Sequence, residues 1–184
     1  MLVIWVILGL LVLIAAFVIM IYNRLITLRT HCEEAWSDID VQMKRRYDLI
    51  PNLVESVKGY MQHERTVFEN VTAARSNAIN AQGMESKAQA ENQLSQTLKT
   101  LFAVAENYPD LKANQNFLQL QTELRDAEDK IAYSRRFYNT NVRDLNIAVQ
   151  TFPSNIIANM YKFSKKDMFE LTEATARTVP QVKF

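Results

Sequence analysis

The first 22 positions, MLVIWVILGLLVLIAAFVIMIY, carry no charged side chain, and the pattern changes directly after them. From Arg24 the apolar residues recur at Leu25, Leu28, Cys32, Trp36, Ile39, Met43, Ile50, Leu53, Val57 and Met61, then at Phe68, Val71, Ala74 and Ala78. Steps of three and four, or their sums, place these side chains on one stripe of a helix. The opening run, as a helix rising about 1.5 Å per residue, reaches roughly 33 Å, enough to cross a hydrocarbon core of ~30 Å. A helix also satisfies its own backbone in lipid. The pattern therefore predicts a membrane-spanning helix that runs straight into an amphipathic one.

Local signals divide the rest. Pro51 lacks an N–H and crowds the carbonyl of Tyr47, which predicts a kink or short break over residues 48–52; Gly59 is a weaker blemish. A stop around residues 80–83 precedes a second helix over 86–107, with Ala88, Leu94, Leu98, Leu101, Phe102 and Ala105 inward. Pro109 opens a third long helix, which ends before Phe152-Pro153. A short fourth helix follows over 154–161, and residues 162–184 form an irregular tail with Phe163, Met168, Phe169, Leu171, Val179, Val182 and Phe184. The expected fold is all-α: an amino-terminal transmembrane helix (1–22) continuing into an antiparallel bundle of about four long helices within one domain (23–184).

A cleaved signal peptide is a poor account of the opening run. No Lys or Arg precedes it, it is too long, and its small residues Gly9, Ala15 and Ala16 are followed by further strongly apolar ones. Cys32 lies beyond the run, which excludes a lipoprotein anchor. Arg24, Arg29, Lys44, Arg45 and Arg46 follow the span and none precedes it. The amino end is thus expected outside and the body in the cytoplasm.

Composition narrows the function. All 21 Lys+Arg and 20 Asp+Glu lie in the body, so its balance gives no nucleic-acid or acidic-substrate footprint. One cysteine excludes an internal disulfide and agrees with a reducing compartment. Three glycines cannot build a phosphate loop, and nothing resembles a nucleophile elbow or paired CxxC. His31 and His63 are far apart, and His63-Glu64 lacks the second histidine of a zinc-protease helix. Glu33/Glu34 and Asp38/Asp40 read as solvated faces, with Asp40–Lys44 an i,i+4 ion pair. Lys44-Arg45-Arg46 sits too far along the helix for a lipid contact, so pairing with Asp48 or another helix is expected; Arg135-Arg136 reads likewise. Asn70-Val71-Thr72 matches a glycosylation sequon, but in a helix on the cytoplasmic side. Cys32 reads as a core residue. No catalytic, cofactor-binding or metal-binding residue is assigned, and neither a cofactor nor a small-molecule substrate is expected.

Two stretches carry a resemblance. EEAWSDIDVQMKRRYDLIPNLVESVKGY (33–60) is similar to the signature of the bacterial LemA family. His63-Glu64, Phe68-Glu69, Val71-Thr72 and Ala74-Arg75 extend it. Further on come Arg136-Phe137-Tyr138-Asn139, Val142-Arg143-Asp144, Phe152-Pro153, Phe169-Glu170-Leu171 and residues 179–184. The match is loosest over 81–101. The resemblance implies one amino-terminal membrane helix, a short extracytoplasmic end, a cytoplasmic helical bundle at the inner membrane, and no established catalytic residue. It also implies kinship with membrane-organising proteins, some of magnetosome membranes, and gene neighbours encoding membrane proteases.

The expectation that follows is a non-enzymatic, membrane-anchored scaffold. It holds the lipid bilayer through residues 1–22 and self-assembles as a homo-oligomer, with Trp36, Tyr60, Phe137 and Tyr138 available as contact anchors. The alternative is a monomeric adaptor presenting a helical groove or its tail to a membrane protease or another membrane protein. An adaptor working through its tail would lose partner capture, but not helicity, on deletion of residues 162–184.

Overall fold

The apolar run and the amphipathic stripe form one uninterrupted helix, α1 (Leu2–Lys58). The computed structural model describes residues 1–61 and 63–170, and every regular element among them is helical. The run's best window has a mean hydropathy of 3.3, and none of that window is buried by the rest of the chain. It is long and apolar enough to cross a membrane. Beyond it the predicted stripe is buried, with Leu25, Cys32, Ile39, Met43, Ile50, Leu53 and Val57 at most 1% exposed.

Pro51 lies within α1 without ending it. Of the kink or short break expected over residues 48–52, no break occurs; the helix ends later, and the chain turns at 59–64 before α2 (Arg65–Asn80). Hydrogen-bond accounting explains the difference. Pro51 cannot donate to the Tyr47 carbonyl, but Arg75 Nε of α2 donates to that oxygen at 2.7 Å. A helix interrupted by proline loses one backbone bond, and here a side chain from the neighbouring helix replaces it. Arg75→Met is therefore expected to cost about 1–2 kcal/mol. In a Pro51→Ala background, where a backbone N–H again serves Tyr47, the same substitution should cost less. Equal losses in the two backgrounds, measured by urea unfolding, would show that Arg75 has no such role.

Gly59 opens the real turn, where the N–H groups of Tyr60 and Met61 both donate to Val57 O. α2 then buries Phe68, Val71, Ala74 and Ala78, the expected set. Its connection to α3 (Met84–Ala105) uses Gly83 at φ 81°, a left-handed conformation natural only to glycine. The single third helix expected from Pro109 is in fact two, α4 (Pro109–Lys112) and α5 (Gln115–Gln150). Asn114 divides them: its Oδ1 accepts the Phe117 N–H at 3.1 Å, an N-cap that starts a new helix. α6 (Ser154–Met160) lies where the pattern placed it.

Two compact units emerge. One comprises Asp40–Tyr133 with the described residues from Phe169. In it the end of α1, α2, α3 and the first half of α5 form an up-down-up-down four-helix bundle. Ser95 bonds Glu128 while Phe102 meets Phe117, which sets α3 antiparallel to α5. Leu53, Leu94, Leu101 and Ile131 are among its buried core residues.

The other unit comprises Met1–Ile39 and Ser134–Met168. There α1 lies antiparallel to the second half of α5: Trp36 meets Tyr138 at 5.5 Å, and Tyr22, further back on α1, meets Tyr161 beyond α5 at 4.7 Å. α6 closes with Lys162 at φ 57°; Lys162 N–H donates to Asn159 O and Phe163 N–H to Ala158 O, the two bonds of a Schellman cap. The tail then runs extended within this unit. Asn146 Nδ2 donates to Lys166 O, Lys166 N–H donates back to Asn146 Oδ1, both at 2.9 Å, and Tyr138 Oη donates to Asp167 O at 3.0 Å. Residues 163–168 thus pack on their own chain. The expectations for Leu171, Val179, Val182 and Phe184 lie outside the described residues.

Candidate functional site

The densest polar cluster sits inside the bundle unit. Arg46 of α1 and Glu91 of α3 are each 1% exposed. One guanidinium nitrogen donates to Glu91 Oε2 and the other to Glu128 Oε2 of α5. Tyr47 Oη donates to Glu91 Oε1. Ser95 Oγ accepts from Arg46 at 3.0 Å and donates to Glu128 Oε1 at 2.8 Å. Charges this deep persist only when paired and hydrogen-bonded, and these side chains answer one another across three helices. Lys87 adds a fourth element: its Nζ donates to Ala78 O near the end of α2 at 2.8 Å and lies 5.4 Å from the Tyr47 ring centroid.

This cluster touches solvent on one side, where Glu128 is 43% exposed. There a groove of about 400 Å³ runs between α3 and α5, lined by Ser95, Leu98, Phe102, Leu124, Arg125 and Glu128 among others. Its floor is apolar and its rim charged, which suits an inserted side chain. Among the described residues, no group of three or more His, Cys, Asp or Glu is arranged to hold a metal ion.

The LemA family profile matches residues 35–184. The chain belongs to the LemA family. Protein LemA of Metamycoplasma hominis is 28% identical over 152 residues, covering 82% of this chain and 69% of that protein. Magnetosome protein MamQ 2 of Paramagnetospirillum magneticum is 23% identical over 181 residues, 84% of this chain and 66% of that one. Magnetosome protein MamQ of Magnetospirillum gryphiswaldense is 24% identical over 192 positions, 89% and 71%. The chain therefore spans about two thirds of the length of these curated relatives. It is a membrane-associated LemA family protein with an apolar amino-terminal helix.

Within this LemA protein the residues flagged by sequence separate clearly. His31 and His63 are exposed, His63 in the α1–α2 turn. Glu33 is taken by Lys166 Nζ at 3.2 Å and Arg29 at 4.0 Å, so it does not converge with Glu34. Of the basic triplet, Arg45 pairs with Asp126 at 3.4 Å and Arg46 with Glu91 and Glu128. All three partners lie on other helices rather than at Asp48. The expected Asp40–Lys44 pair is not among the ion pairs of the described residues. Cys32 is fully buried and burial raises its thiol pKa, so it is a core residue. Trp36 and Tyr138 form an internal aromatic pair, whereas Tyr60 and Phe137 are exposed at 40% and 51%. Asn70 of the sequon is an exposed residue of α2.

Two buried phenols give this LemA protein an alkaline limit. Burial, reinforced by the Glu91 hydrogen bond, raises Tyr47 well above the usual phenol value. Burial, with Cys32 nearby, pushes Tyr138 up to about 12. Above the ordinary value of 10.0 the unfolded chain releases these protons while the folded chain keeps them. Their stabilisation is complete below pH 10.0 and is lost as pH rises, at up to about 1.4 kcal/mol per pH unit for each tyrosine. Urea unfolding across that range should show the decline, with a shallower slope in Tyr47→Phe. An unchanged slope would assign the effect elsewhere.

Proposed function

We propose that this LemA protein is a non-catalytic scaffold, anchored at the cytoplasmic membrane of a bacterium and assembled from several copies. The observation that carries the reading is α1 itself: one helix joins the bare apolar run to the packed body without a flexible linker. Such a link leaves no tether between the apolar run and the residues that pack on it in the same unit, which suits organising neighbours more than reaching for distant ones. Phe137, 51% exposed on the second half of α5, offers a contact point for another copy. Relatives are named magnetosome proteins, and the family resemblance to membrane-organising proteins accords with an organising role. The buried Arg46, Glu91 and Tyr47 are engaged with one another, and the reading gives them a structural task rather than catalysis.

Arg24 and Arg29 follow the span, so the reading places the amino end outside and the body in the cytoplasm. The test of assembly is the particle mass of the full-length protein in mild detergent, beside a fragment starting at Asn23. A discrete multimer supports the scaffold, and a fragment that also assembles locates the contacts in the bundle. Monomers in both samples overturn self-assembly. They favour the second reading, an adaptor that presents the α3–α5 groove to a membrane protein or protease.

A further inference from the structure

Between Asp144 and Lys162 the chain carries no charged side chain. This stretch forms the corner where α5 ends, turns through Phe152-Pro153 and enters α6. Its inner side is committed to the fold, with Ile157 and Ala158 buried. Its outer side is not. Phe152 is 77% exposed, Met160 64% and Ile156 51%; Ile156 and Met160 share one side of α6, and Phe152 lies in the turn just before it. Large apolar groups gathered this way mark an interaction surface.

The position of the corner along α1 identifies what it meets. A cleft of about 430 Å³ has Phe17, Met20 and Arg24 of α1 on one wall and Ile147, Phe152 and Ser154 on the other. Phe17 lies five residues inside the apolar run, about 7.5 Å from its end at Tyr22. That is the depth, ~5–10 Å, at which amphipathic elements rest in the headgroup–acyl boundary. Tyr161 meets Tyr22 in a tilted pair, ring centroids 4.7 Å apart, which puts two tyrosines at the level where aromatic belts form. Exposed cations, Arg24, Lys162 and Lys165, flank the corner, where their long side chains reach anionic headgroups.

We propose that the α5–α6 corner is a second membrane contact: Phe152, Ile156 and Met160 dip into the interface of the leaflet nearest the body, beside the last turns of the span. The protein then meets the bilayer at two places, and the corner fixes rotation and tilt that a single helix leaves free. The occupant is lipid rather than another copy because the surface is level with the apolar run and flanked by Arg24, Lys162 and Lys165, while Asp144, the acid on the cleft, is paired with Arg143 at 3.1 Å. The proposal rests on the membrane-spanning reading of residues 1–22.

The test is site-directed spin labelling of the full-length protein in vesicles of phosphatidylethanolamine and phosphatidylglycerol. Nitroxides are placed singly at Phe152→Cys, Ile156→Cys and Met160→Cys in a Cys32→Ala background. Leu13→Cys serves as the reference within the span and Ser37→Cys, exposed on α1, as the reference in water on the same unit. Relaxation by oxygen should exceed relaxation by a water-soluble nickel chelate at all three corner sites, with a depth between the two references. Chelate access equal to that at Ser37 would place the corner in water and overturn the proposal. Protection from both agents would show protein covering it, and would overturn it equally. A lipid-exposed Leu13 beside an aqueous corner leaves the span reading intact; an aqueous Leu13 removes both.

Discussion

Glu91→Ala is expected to lower the unfolding free energy by about 3 kcal/mol, the lower end of the range for removing one partner of a buried ion pair. The substitution strands the Arg46 charge, which is 1% exposed, and leaves the Tyr47 hydroxyl only the Ala78 carbonyl, at 3.5 Å, as acceptor. Glu128 remains as a second carboxylate, which keeps the loss from the upper end. The double variant Arg46→Met/Glu91→Leu should recover most of the loss, since apolar groups of similar volume replace buried pairs at little cost or with a gain. Urea unfolding followed by circular dichroism in mild detergent measures both. If Glu91→Ala lost under about 1 kcal/mol, the pair would be a bystander. If the double variant were as unstable as the single one, the charges themselves would be indispensable.

The helices were legible because few residues break them and their apolar positions keep a helical period. Leu25, Cys32, Ile39, Met43, Ile50 and Leu53 were placed on one stripe by spacing, and all six are buried. Spacing alone does not reveal which local defect a neighbouring helix repairs. Pro51 reads as a kink or short break because its missing bond is a local fact, whereas the Arg75 guanidinium that supplies the lost donor comes from α2. Asn114 failed to register for the opposite reason. Its cap is local, but Pro109 five residues earlier already offered a start, and one start signal masked the other.

The polar cluster was less legible, although a signal was present. Arg46 falls between Met43 and Ile50 on the buried stripe of α1, and Glu91 falls between Ala88 and Leu94 on that of α3. A charged residue at a core position on each of two helices, opposite in sign, points to a buried pair. Arg46 was instead grouped with Lys44 and Arg45 as a run of charge, although consecutive helix residues face different ways. Only Arg46 of the three points inward.

The chain ended after Tyr161 is expected to lose about 3–6 kcal/mol of stability, because two phenylalanines leave buried sites and each is worth about 1.5–3 kcal/mol. Phe163 is 9% exposed and lies against Tyr22 and Arg29; Phe169 is fully buried. The cut also removes both Asn146–Lys166 bonds and the Tyr138–Asp167 bond. Phe169→Ala in the full-length protein separates packing from backbone pairing, with an expected loss of about 3 kcal/mol. This changes how an adaptor would be tested. Deleting residues 162–184 removes structural groups, so lost partner capture would report unfolding as readily as a missing docking segment. If thermal and urea midpoints were unchanged by the truncation, residues 163–169 would contribute little to the fold, and the same deletion would become a sound test of tail-mediated binding.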